Sequence, residues 1–112
     1  MAKIYWELEE AVALIDLYIQ NGSMPNISDE KLAELSCIYS KRAQKLGFPA
    51  NSKFRNLAGL RMQLSCIHYV VTGGREGMSN ASQVFYQAWA LFKSKPDNFR
   101  QTLNRFYSLY DF

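Results

Sequence analysis

The sequence predicts an all-α fold, a compact bundle of about five helices with room at most for a minor extended pair near residues 48–56. Three observations carry this. Apolar residues recur at spacings of three and four along five separate stretches, the period of a helix with one buried face. No stretch shows sustained two-residue alternation, the mark of a half-buried strand. Hydrophobic residues make up 48% of the 112 and aromatics 14%, enough apolar surface for one domain to build a core without staples.

The first helix is expected over about 5–20, with Leu8, Ala11, Val12, Ile15 and Ile19 as its stripe and Leu14 and Tyr18 widening it. Glu7, Glu9 and Glu10 fill its first turn, where the helix dipole favours acids. Asn21-Gly22 stops it. The second helix starts at the cap Ser28, with Asp29 and Glu30 in its first turn. It carries Leu32, Leu35, Ile38, Tyr39, Ala43 and Leu46, and ends at Gly47 with Pro49 beyond. Residues 48–55 read as a loop. The third helix begins near Asn56 and runs to Val71 on Leu57, Leu60, Leu64, Ile67 and Val71. Thr72 to Asn80 is the least helical stretch, with Gly73, Gly74 and Gly77 in five residues. The fourth helix is capped by Ser79, Asn80 or Ser82 and carries Val84, Phe85, Ala88, Trp89 and Phe92. A break at Lys95-Pro96-Asp97 opens the fifth, with Phe99, Leu103, Phe106 and Tyr110 inward and Trp6 as a lid over it.

Charge is uneven along the chain. Residues 1–36 hold seven acids against Lys3 and Lys31, and between Lys41 and Arg75 there are seven bases and no acid. That asymmetry is a cue for a polyanionic partner, against the plainer reading of a solvated basic surface. No apolar run approaches the ~20 residues of a membrane span. The N-terminus lacks a signal-like apolar stretch, so a cytoplasmic protein is expected. Cys37 and Cys66 read as buried, reduced thiols.

The chemistry of a catalyst is missing. His68 is the only histidine, so neither a multi-imidazole metal site nor a histidine pair is available, and no metal or cofactor is expected. Cys66 and His68, two apart on a helix, point roughly 200° away from each other. The run Thr72-Gly73-Gly74-Arg75-Glu76-Gly77 follows a helix rather than a strand and fails as a dinucleotide loop. The sequence therefore reads as a non-enzyme.

What remains is a binding surface. Lys53 and Arg55 stand at the start of the third helix, whose open N–H groups favour phosphate. Asn56 either caps that helix or pairs with adenine. Gly73, Gly74, Arg75, Ser79 and Asn80 form either an anion-binding nest or an ordinary turn with a cap. Lys41 and Arg42 suit the end of any helix, and Arg61 is a polar position within reach of a groove. Phe54 and Tyr69 are the aromatics left over as base-stacking candidates. Changing Arg55 or Arg75 to Ala is expected to weaken binding without unfolding the chain.

The run Phe54-Arg55-Asn56-Leu57-Ala58-Gly59-Leu60-Arg61, followed by Thr72-Gly73-Gly74-x-x-Gly77-Met78-Ser79-Asn80, resembles a small N-terminal domain of bacterial HNH-type restriction endonucleases and related defence proteins. In that family an acidic, Trp-headed helix, like Trp6-Glu7-Leu8-Glu9-Glu10 here, precedes a Phe-Arg-Asn-x-x-Gly segment and a glycine-bearing loop. The likeness runs in order from about Trp6 to Phe92. It implies recognition of DNA, in some relatives chemically modified DNA, ahead of a cutting domain, through Arg55, Asn56 and the Gly73–Asn80 loop. The HNH histidines are absent from these residues, so nuclease activity is expected to be absent or to belong to a partner. The expected partner is nucleic acid, DNA before RNA. The alternative is a phage-encoded, anti-CRISPR-like inhibitor or adaptor that meets a nuclease or CRISPR effector protein through its basic surface or its acidic first helix. No membrane partner is expected.

Overall fold

The structure is a computed structural model that describes residues 5–22, 27–48, 54–79 and 81–111. Five helices follow one another: α1 (Leu8–Gln20), α2 (Asp29–Leu46), α3 (Leu57–Val71), α4 (Gln83–Ser94) and α5 (Pro96–Tyr110). No strand occurs among the described residues, and 49–53, most of the segment where a minor extended pair was conceivable, lie outside them.

Local chemistry explains the helix ends. Ser28 accepts from the Lys31 N–H and starts α2. Gly47 ends it in the left-handed region at φ 79°, with the Phe48 N–H bonded to Ala43 O and the Gly47 N–H to Gln44 O. That two-bond closure satisfies the last carbonyls of the helix. Asn56 caps α3 by accepting from the Gly59 N–H at 2.8 Å. A Cβ on Gly59 would stand 3.1 Å from that cap oxygen, so the small residue lets the cap close. Of the three proposed caps for α4, Ser82 holds the position, and Pro96 opens α5 after the single joint residue Lys95.

The core draws side chains from all five helices. α1 packs against α3, α4 and α5, while α2 packs against α3 and α5. This central place follows from the run Ala11-Val12-Ala13-Leu14-Ile15. Five consecutive apolar residues leave no polar side, and all five are fully buried. The flanking acids Glu10 and Asp16 are drawn inside with them. Burial raises the Asp16 carboxyl above its ordinary value, against the opposing Gln20 hydrogen bond and the Arg100 charge.

Several expectations need correction. Trp6 does not lie over α5. Its ring packs against Tyr39 of α2 at 5.4 Å and Phe85 of α4 at 5.3 Å, so it covers the α1 start from the other side. Cys37 is exposed on α2, whereas Cys66 is buried and its thiol is pushed up by desolvation. Among the described residues, no helix is long and apolar enough to cross a membrane.

Candidate nucleic-acid interface

Charge in the sequence suggested a basic middle segment facing outward. The fold turns two of its bases, Arg42 and Arg55, inward. Arg42 is buried on α2, three residues beyond Tyr39, whose hydroxyl donates to the Glu10 carbonyl at 2.6 Å. This bond holds α2 against the start of α1. The Arg42 guanidinium then reaches Glu7 Oε1 and Glu9 Oε1, each at 2.7 Å, with Glu10 at 3.6 Å. Burial alone pulls the Arg42 charge down, but the bonds to Glu7 and Glu9 outweigh it and the group stays charged.

Arg55 completes the cluster from the third segment. Its Nε donates to Glu10 Oε2 at 3.0 Å, and a terminal nitrogen donates to Glu10 Oε1 at 3.2 Å. The guanidinium stacks between the rings of Trp6, at 4.2 Å, and Phe54, at 4.5 Å. Its backbone is in the left-handed region at φ 47°, where a residue with a Cβ is strained. Ser36 of α2 donates to the Arg55 carbonyl at 2.7 Å and helps hold that conformation. Arg42 and Arg55 are therefore corrected from surface contacts to structural counter-ions of the acidic helix. Phe54 likewise meets Arg55 and the core and is no open stacking platform.

Arg61 pairs with Asp29 at the α2 start and donates to the Ile27 carbonyl at 3.2 Å. Lys41 lines a groove of mixed charge with Lys31, Glu34, Tyr107 and Asp111. Burial and the surrounding Asp16, Asp111 and Glu34 carboxyls push the Tyr107 hydroxyl up to about 12. Lys53 and Asn80 lie outside the described residues. Asn56 spends its oxygen on the cap and borders a depression of about 160 Å3 with Trp6, Arg55, Gly59, Met62 and Gln63.

The glycine loop is not an open anion nest. The N–H groups of Gly73, Gly74 and Met78 donate to the carbonyls of Val70, Tyr69 and Ser65, and that of Glu76 donates to Thr72 Oγ1. Gly73, Gly74 and Gly77 all have positive φ. At Gly77 the close approach is to α3 itself: a Cβ there would stand 2.4 Å from the Ser65 carbonyl. Tyr69 packs its ring beside Gly74 rather than presenting it to a base. The loop is further tied by a side-chain chain. Tyr18 Oη meets His68 Nδ1 at 2.6 Å, and His68 Nε2 meets Glu76 Oε2 at 2.8 Å. With the hydroxyl donating to Nδ1, the ring N–H at Nε2 is left to donate to Glu76. Arg75 and Ser79 remain exposed, and Arg75 has no ion pair or hydrogen bond among the described residues.

The structure thus does not gather the predicted residues into one basic face. It divides the six arginines. Arg42, Arg55 and Arg61 are consumed by Glu7, Glu9, Glu10 and Asp29. Arg75, Arg100 and Arg105 are exposed and unpaired among the described residues. Sequence reasoning passed over the last two because they lie outside the acid-free stretch. The helical period of α5, which sets Arg100 and Arg105 opposite Phe99, Leu103 and Phe106, was the available signal.

No metal-holding cluster of His, Cys, Asp or Glu occurs among the described residues. No family model matches the chain, and no curated protein or solved structure matches it either. The likeness to the HNH-associated domain therefore rests on its motif residues. Several of these have a folding task here: Trp6 and Glu10 hold Arg55, Asn56 caps α3, Gly59 admits the cap and Gly77 admits the loop.

Proposed function

We propose that this chain is a non-catalytic module that binds nucleic acid, DNA in preference to RNA, within or against a bacterial restriction or defence system. The observation that carries the reading is the division of the charges. Three arginines pair with four carboxylates, a set that is net negative, so the rest of the chain keeps a positive excess greater than the +3 of the whole. Exposed Arg75, Lys93, Lys95, Arg100 and Arg105 supply it. Surplus surface cations attract a polyanion, release its counter-ions and give affinity without any catalytic group.

The test is a binding panel of duplex DNA, single-stranded DNA and RNA between about 50 and 200 mM salt. Binding to duplex DNA that weakens steeply, with a slope near −0.9 per neutralised phosphate, is the expected result. A flat salt dependence, or no binding at the lower salt, overturns the reading. Changing Arg75 to Gln should lower the slope by about 1 and leave sequence preference alone.

A second reading, an inhibitor or adaptor of a nuclease or CRISPR effector protein, is favoured by exposed Leu57, Met62 and Met78 around α3. Its use of the acidic first helix is disfavoured, because Glu7, Glu9 and Glu10 already serve Arg42 and Arg55. One protein partner retained after nuclease treatment, with no affinity for DNA, selects this reading over the first.

A further inference from the structure

We infer that the exposed face of α5 is the element that enters the major groove of duplex DNA, with Arg100 and Arg105 as its basic contacts and Asn98, Gln101 and Asn104 as its base-edge amides. The inference rests on the nucleic-acid reading above and names the surface that performs it.

α5 has two unlike sides. Phe99, Leu103, Phe106 and Tyr110 are buried, and Phe106 and Tyr110 pack ring against ring at 5.6 Å. Asn98, Arg100, Gln101, Asn104, Arg105 and Ser108 are exposed, with no acid between Asp97 and Asp111. The side chains of Arg100, Gln101, Asn104 and Arg105 make no hydrogen bond or ion pair among the described residues. The Arg100 charge is felt by the buried Asp16 carboxyl without forming a pair. Everywhere else in the described fold except Arg75, guanidinium groups meet carboxylates. The α5 face is where two of them stand free on one helix.

The residue types match the groove. Arginine pairs bidentately with guanine, and asparagine and glutamine pair with adenine. From Asn98 to Arg105 the helix rises about 10 Å, roughly three base-pair steps. Exposed Lys93 and Lys95 stand where α4 meets α5, placed to meet the phosphates beside the groove. Lys95 is the only residue between the two helices, and Phe92 packs edge-on against Phe99 at 5.1 Å across the corner. That makes α4 and α5 one rigid unit, the mechanical need of a helix pair in which the second helix is inserted. Toward α1, Gln101, Thr102 and Arg105 line a hollow with Glu7, Glu9 and Arg42, where the Arg42 pairs offset part of the carboxylate charge.

Duplex DNA is favoured over the other polyanions. The major groove of A-form RNA is too deep and narrow for a helix. An acidic protein surface would be met by apolar or aromatic anchors. The centre of this face instead carries amides, and Leu109 stands only at its far end.

The test compares the full chain with a double variant, Arg100→Gln and Arg105→Gln, and with Asn104→Ala, using fluorescence anisotropy on a duplex DNA library. Circular dichroism verifies that each exposed substitution leaves the helices intact. The double variant should bind roughly tenfold or more weakly, with a salt slope lower by about 2. Asn104→Ala should change which sequences are enriched while the slope stays the same. If the parent chain binds duplex DNA with a steep slope and the double variant matches it, the α5 assignment is overturned while the wider reading stands. Tighter binding to double-stranded RNA than to DNA also overturns the assignment. If the parent chain binds no nucleic acid at low salt, the wider reading fails, and the assignment with it.

Discussion

Arg55 shows how much one side chain can be asked to do in a small domain. It is strained in the backbone, stacked between two rings and bonded to a carboxylate that is 1% exposed. Removing one member of such a pair leaves an uncompensated charge in the interior, which costs about 3 kcal/mol or more. Arg55→Ala and Glu10→Gln should each lower the urea midpoint accordingly. This replaces the expectation that Arg55→Ala weakens binding without unfolding. Unchanged midpoints would mean that the cluster is decoration. Asp16 offers the opposite case. Its folded-state affinity for a proton is raised by burial, so its contribution favours folding below the ordinary value of 3.8 and is lost as pH rises through the folded value. Asp16→Asn should therefore raise the urea midpoint at pH 7 and leave it unchanged below 3.8. Gln20 can still donate to the new amide oxygen.

At the scale of elements, the helices were legible because their signals are local. Ser28 and Asn56 act as caps, Gly47 as a left-handed terminator and Pro96 as an opening residue, each within one turn of its partner. α1 began three residues later than expected, since Tyr5, Trp6 and Glu7 are not helical where they meet Arg55 and Arg42, and Glu7 is extended. The glycines separate two causes that the sequence merges. Gly47 needs only its positive φ, and nothing lies near a new Cβ. Gly77 needs both its φ of 96° and the missing Cβ, because Ser65 and Tyr69 backbone atoms occupy that space. Gly47→Ala should cost about 1 kcal/mol. Gly77→Ala should cost clearly more and should raise amide exchange across residues 73–78. Equal losses at the two positions would show that the loop can lift off α3 at no cost.

For the whole molecule, the charges sort by depth. The Arg42 and Arg55 pairs are shielded from solvent, so added salt screens them little. Folding stability should change by less than about 1 kcal/mol between 50 and 200 mM salt, whereas DNA binding by the exposed cations should weaken by an order of magnitude or more. Parallel losses of stability and binding in the same titration would place the binding charges inside the fold after all.

The amino-acid sequence by itself determined the all-helical architecture, most of the helix ends and most of the core, because periodicity, caps and punctuation act over a few residues. Only the tertiary structure decided which cations are available to a partner. Arg42 meets Glu9 across 33 positions, and Arg55 meets Glu10 across 45. Arg42 and Arg55 of the basic middle and Glu7, Glu9 and Glu10 of the acidic beginning, which looked like parts of two separate surfaces, form one ion cluster. The arginines of α5 emerge by the same logic: no carboxylate among the described residues forms an ion pair with them, although Asp16 feels the Arg100 charge and Glu7 and Glu9 line a hollow with Arg105, and that depends on distances in space which linear charge density does not contain.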